Sequence, residues 1–210
     1  MRRLPVYLLL DVSGSMSGEP IEAVRNGLQV LLSSLRQNPY ALETAYLSVI
    51  TFESAAKQVM PLTELASFQI PTISAGGGTS MGAALKLLSD KINSEVQKSS
   101  ADTKGDWKPL VFIMTDGSPT DNVQAGINEF KKCKTGIVVA CAAGSGADVT
   151  ILKQITEIVI SLDTADTATI SAFFKWVSAS IGISSQKVDS GKEVGGLDEL
   201  PPPPPEINIV

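Results

Sequence analysis

The sequence predicts a doubly wound α/β fold: a six-stranded, mostly parallel sheet with one antiparallel edge strand and helices on both faces. Three observations carry this prediction. Short continuously apolar runs, such as residues 4–10 and 109–114, read as central strands covered on both sides. Segments with apolar residues at three- and four-residue intervals alternate with those runs, as βα units require. Two of the runs also end in an aspartate, Asp11 and Asp116, on the side where open parallel sheets bind ligands.

The first strand, LPVYLLL, stops at Asp11, and the loop DVSGSMSGE follows. Pro20 suits the first turn of a helix, where a missing N–H has no helical partner to lose. Ile21, Val24, Leu28, Leu31, Leu32 and Leu35 then share one face as far as Asn38-Pro39. AYLSVITF (45–52) reads as the second strand, and KQVM (57–60) as its antiparallel edge partner across Glu53-Ser54-Ala55-Ala56. Gly76-Gly77-Gly78 leads Thr79 and Ser80 to a helix with Met81, Ala84, Leu85, Leu88, Ile92 and Val96 on one face.

PLVFIM (109–114) is the fourth strand and runs into Thr115-Asp116-Gly117. A helix at about 122–132, a strand at 136–143, a short helix at about 149–155 and a strand at 157–162 follow. The last helix, about 167–181, packs through Ile170, Phe173, Phe174, Val177 and Ile181. Residues 1–183 thus read as one domain. From residue 184 the composition turns to Gly, Ser, charge and a run of five prolines at 201–205, which reads as a flexible tail (184–210) of polyproline II character.

The 210 residues carry 17 basic and 22 acidic side chains, a net charge of −5, which argues against nucleic acid or an anionic membrane as partner. The absence of histidine excludes Ser-His-Asp and Cys-His catalysis and any His-ligated zinc or haem. Cys133 and Cys141 are too few for an all-cysteine zinc site or a disulfide framework, and read as buried reduced thiols. The apolar stretch near the start is cut by Asp11 and lacks a small-x-small cleavage site, so it does not read as a signal peptide. No later run reaches the roughly 18 to 20 apolar residues of a membrane helix, and a cytoplasmic protein is expected.

Asp11, Ser13 and Ser15 occupy alternate positions, so an extended loop can aim one carboxylate and two hydroxyls at one point. Thr79 adds a hydroxyl from the glycine-rich loop and Asp116 a second carboxylate. The set is all oxygen, which suits a hard cation, Mg2+ first, with Mn2+ or Ca2+ as substitutes. Direct binding by Asp11 alone leaves Mg2+ a formal charge of about +1 and an open octahedral position for an incoming carboxylate; direct binding by both aspartates cancels the charge. The same residues can therefore form two states of different affinity for an acidic partner. Turn formation and helix capping are the ordinary duties of Ser13, Ser15 and Thr79, and coexist with metal binding. Asp121 follows the T-D-G loop closely, where an acid can support the ligands from behind, but a helix N-cap is the favoured reading and it stays outside the set. The glycine run is not G-x-G-x-x-G, and Ala83-Ala84 stand where a phosphate-binding loop needs Lys and Ser or Thr.

This pattern resembles the von Willebrand factor A domain with its metal-ion-dependent adhesion site. The D-x-S-x-S, distant Thr and T-D-G elements of that family stand here as Asp11-Val12-Ser13-Gly14-Ser15, Thr79 and Thr115-Asp116-Gly117, and the likeness extends over about residues 4–182. Within the family the loop sequence LLLDVSGSM is most similar to a tellurite-resistance group of bacterial A domains. The resemblance implies a doubly wound sheet, a divalent cation at its top and capture of a protein partner through that cation. It further implies work beside kinase-like and phosphatase-like proteins of stress-response gene clusters, and no catalytic role.

Three functions are therefore open. The first is a non-enzymatic module that captures an acidic residue of another protein through Mg2+. The second is a Mg2+-dependent phosphatase or phosphotransferase with Asp11 as nucleophile, although Ser13 stands where such enzymes place a second aspartate and no phosphate-binding lysine is evident. The third is a metal that only ties three loops together.

Overall fold

The computed structural model describes residues 2–210. Strand β1 (Leu4–Asp11) is buried at every position, as is β4 (Leu110–Thr115) beside it. Around them the chain runs α1 (Glu19–Arg36), α2 (Pro39–Thr44), β2 (Ala45–Phe52), β3 (Ala56–Glu64) and α3 (Met81–Glu95) before β4, then α4 (Val123–Phe130), β5 (Val138–Ala143), α5 (Val149–Ile155), β6 (Ile158–Leu162), α6 (Thr167–Asp189) and β7 (Asn208–Ile209). The strands lie in the order β3-β2-β1-β4-β5-β6-β7. All pairings are parallel except β2 with β3 and β6 with β7, at the two edges.

Side chains alternate across β1. Leu4, Val6, Leu8 and Leu10 join α1 and α6 in one core that includes Val24, Leu28, Phe173, Phe174 and Val177. Tyr7 and Leu9 join α3 and α4 in a second core with Leu85, Leu88, Ile127 and Phe130. The period-2 alternation of a strand buried on both faces thus builds two hydrophobic layers. From β1 the chain moves first to β2 on one side and later to β4 on the other, so the crevice above β1 and β4 is a topological switch point. Asp11 and Asp116 arrive there.

The sheet has seven strands where six were expected. The additional strand comes from the segment read as a flexible tail. Residues Val194 and Ile207 are buried, the Trp176 indole N–H donates to the Pro201 carbonyl at 2.9 Å, and Val210 N–H donates to the Val159 carbonyl at 3.0 Å. The expected boundary at residue 184 falls inside α6, because Ser184, Ser185 and Val188 continue its buried face for two turns beyond Ile181. Strand β3 is longer than expected and contains Pro61, which an edge strand accommodates because one side of its backbone needs no partner. No helix among the described residues is long and apolar enough to cross a membrane.

Candidate metal centre

Asp11 closes β1 with its side chain 1% exposed. Its Oδ1 accepts the Ser13 backbone N–H at 2.8 Å, and its Oδ2 accepts the Thr115 hydroxyl at 2.5 Å. The carboxylate is therefore oriented both by its own loop and by the end of β4. The Ser13 and Ser15 hydroxyls are 3.0 Å apart, and Ser15 Oγ donates to Asp116 Oδ1 at 2.7 Å. Four of the five candidate ligands are thus linked in one continuous hydrogen-bonded chain.

The fifth, Thr79, comes from the glycine-rich loop and is 6% exposed. Its hydroxyl is not drawn into that chain. Gly117 lies between the two: a Cβ there would sit 3.7 Å from Thr79 Oγ1 and 4.0 Å from Ser15 Oγ. The loops are stitched by their backbones. Gly76 N–H donates to Val12 O at 2.8 Å, Gly14 N–H to Gly77 O at 3.0 Å, and Ser80 N–H to Glu53 O at 2.7 Å. Gly77 has φ +71°, a conformation that favours glycine, and a Cβ on it would displace the ends of the Glu53 and Ser54 side chains.

Two neighbours outside the expected set hold this arrangement. Thr79 N–H donates to Thr120 Oγ1 at 3.0 Å, and Thr120 N–H donates back to Thr79 O at 2.9 Å. Asp121 does cap a helix, but a different one from the helix that follows it. Its Oδ1 and Oδ2 accept Gly82 N–H at 2.9 Å and Ala83 N–H at 2.8 Å at the start of α3, whereas α4 is capped by Asn122. The signals available in sequence were an Asp close behind T-D-G and before a helix; the partners about forty residues earlier are a product of the fold.

The Asp116 carboxyl is held above the ordinary carboxylate value, chiefly by burial, with the Asp11 charge adding to the effect and the Ser15 hydrogen bond opposing it. Two carboxylates and three hydroxyls are oxygen donors of the type that hard divalent cations take. Among the described residues no group of three or more His, Cys, Asp or Glu side chains is placed to hold a metal, so neutral oxygens, hydroxyls and water among them, would complete any coordination here. A cavity of about 580 Å³ lies among Val96, Trp107, Lys108 and Pro109, at the start of β4 and away from Asp116 at its end.

A family model described as the von Willebrand factor type A domain matches residues 6–174. The chain belongs to this family. Among curated relatives, this A domain is 23% identical over 159 residues to inter-alpha-trypsin inhibitor heavy chain H6 of Homo sapiens, covering 72% of this chain and 12% of the relative. It is 29% identical over 157 residues to a von Willebrand factor A domain-containing protein of Dictyostelium discoideum, covering 71% and 16%. The A domain thus spans less than a fifth of the length of these relatives. Solved structures share its fold: a von Willebrand factor type A protein from Catenulispora acidiphila superposes with a TM-score of 0.65 at 16% identity, covering 87% of this chain and 43% of the other. Proximal thread matrix protein 1 from the mussel byssus, in a structure described as having a zinc-occupied MIDAS motif, superposes with a TM-score of 0.62 at 20% identity, covering 85% and 48%.

Proposed function

We propose that this A domain is a non-enzymatic, metal-dependent protein-binding module. In this reading Asp11, Ser13, Ser15, Thr79 and Asp116 hold Mg2+, and an acidic residue of a partner protein completes the shell. The observation that carries it is the hydrogen-bonded chain from Asp11 through Ser13 and Ser15 to Asp116, with only two carboxylates in it. Bound Mg2+ supplies a positive centre with an open coordination position. The chain's own residues orient the donors: Thr115 fixes Asp11, and Ser15 bridges the first loop to Asp116.

The phosphatase alternative is not favoured, because the groups that contact the Asp11 carboxylate, the Ser13 N–H and the Thr115 hydroxyl, bring no acid-base side chain to it. The zinc-occupied motif of the mussel protein supports a divalent metal in this position. The loop sequence LLLDVSGSM supports a finer placement, in the cytoplasm, in a bacterial tellurite-resistance or stress-response system whose kinase-like or phosphatase-like proteins are candidate partners.

The test is affinity capture from host lysate with the tagged chain in Mg2+ and in EDTA, beside Asp11→Ala with its folding checked by circular dichroism. A protein retained only by the unaltered chain in Mg2+ supports the module. Identical capture in all three samples refutes it in favour of a structural metal, whose mark is a Mg2+-dependent rise in melting temperature alone.

A further inference from the structure

The strongest unexplained feature near the site is the double tie between the loop that carries Asp116 and the loop that carries Thr79. Thr120 and Asp121 lie four and five residues after Asp116. Thr120 exchanges two hydrogen bonds with the Thr79 backbone, and Asp121 grips two successive N–H groups at the first turn of α3, those of Gly82 and Ala83, three and four residues beyond Thr79. The approach is built into the sequence by small residues. A Cβ on Gly78 would lie 3.0 Å from Thr120 Oγ1, one on Gly82 2.5 Å from Asn122 O, and one on Gly126 2.4 Å from Gly82 O. Three glycines on three segments therefore clear the space that lets this loop press against α3.

We infer that Thr120 and Asp121 are positioning residues for the metal centre, a clasp that makes the Thr79 loop and the Asp116 loop one rigid unit and so sets Mg2+ affinity. This rests on the metal-binding reading above. Neither residue supplies an atom to the cation in this account. Their work is to fix the separation between two donors that come from segments 37 residues apart (79 to 116). The physical reason is preorganisation: groups that hold ligand loops in place are worth roughly ten- to hundred-fold in metal affinity. Ser13 and Ser15 need no such help, because they share one loop with Asp11, Ser13 bonded to it directly and Ser15 linked through Ser13.

A cap on α3 could be purely structural, so the test must separate the two roles. The probe is Mg2+ alone, titrated calorimetrically into the full chain, with melting in EDTA measured in parallel. Thr120→Val removes a neutral acceptor at nearly constant shape and charge; Asp121→Ala removes the grip on α3. The expected result is Mg2+ binding weakened about ten-fold in each. Ser80, the N-cap of α3, makes no side-chain cap bond, so Ser80→Asn added to Asp121→Ala supplies a neutral local cap without the tie between loops. It should restore the melting temperature and leave Mg2+ binding weak.

Mg2+ affinities within about two-fold of the unaltered chain in both single variants would overturn the clasp, as would recovery of affinity together with stability in the double variant. A loss confined to Asp121→Ala would assign the effect to its charge and overturn the positional account. If the unaltered chain takes up no Mg2+, the metal reading itself fails and the clasp with it. Binding that is lost in Asp11→Ala but intact in Thr120→Val overturns the clasp alone.

Discussion

Replacing Gly82 by alanine should destabilise this protein, although helix propensity alone predicts the opposite. Gly82 is the second residue of α3, and alanine in a helix is favoured over glycine by about 0.5–1 kcal/mol. Against this, the added Cβ would stand 2.5 Å from Asn122 O and 2.9 Å from both Asn122 C and Val123 Cα. These are backbone atoms at the start of α4, and ordinary contacts are about 3.5–4.0 Å, so α3 and α4 must separate by about 1 Å. Overpacking of this kind costs about 1–3 kcal/mol, and rigid backbone puts this case in the upper half of that range.

The net loss is about 2 kcal/mol. For a chain of 210 residues that corresponds to a melting temperature lower by about 4–8 °C. Scanning calorimetry in EDTA reads it without interference from metal. The control is Gly76→Ala in the neighbouring loop, where nothing lies within 4 Å of the added Cβ, and a change within about 0.5 kcal/mol is expected. A Gly82→Ala protein that melts at or above the unaltered chain would show that the α3–α4 approach is slack and would refute the reasoning.

Other expectations concern the edges, caps and thiols. Deleting residues 194–210 removes the buried Val194 and Ile207 and the acceptor of the Trp176 indole; after the ordering cost of the segment is set against burial, about 3 kcal/mol should be lost, with a fall of about 6–12 °C in melting temperature and a red shift in tryptophan emission. Unchanged melting would mean that the segment contributes nothing to the sheet. Asp166→Ala breaks the capping box of α6 and should cost about 1 kcal/mol by urea titration at neutral pH. The Asp166 carboxyl is held below its ordinary value of 3.8, first by the Thr164 hydroxyl and then by the Thr169 backbone N–H, so its contribution is present above that value and lost as the pH falls through the lowered one; the two proteins should converge there. Burial pushes the Cys141 thiol up, so alkylation of the native protein should reach Cys133 at most, with Cys141 reacting only in denaturant.

Much of this architecture is written in local pattern. The buried runs at β1, β4 and β5 and the amphipathic faces of α1 and α3 need no tertiary information, because continuous apolarity and a 3.6-residue period are direct consequences of burial on two faces and on one. Asn38-Pro39 was read as the end of α1 but also begins α2: Asn38 accepts the Ala41 N–H and Pro39 takes the first helical position, the preferred chemistry of a helix start. Strand β7 had no such signature. Two residues paired at a sheet edge owe their conformation to β6 and to the docking of Pro201 on Trp176, not to their own propensity. At the site, the residues that the structure links, Asp11, Ser13, Ser15 and Asp116, were legible because D-x-S-x-S and T-D-G are contiguous. Thr120 and Asp121 were not, because their partners at Thr79, Gly82 and Ala83 are contiguous only in space.

Asp11 is a member of the sheet, in register with Phe52, and it extends the series of Tyr7 and Leu9 on its strand. A slip of one residue would turn every apolar side chain of β1 to the wrong layer and swing the carboxylate to the opposite face. The direction of the carboxylate is therefore calibrated several residues away, by side chains packed between the sheet and its helices. Substitutions at Leu9 or Tyr7 bear on the aim of the carboxylate as much as those at the rim do, and a survey that sampled only exposed positions would miss the dial.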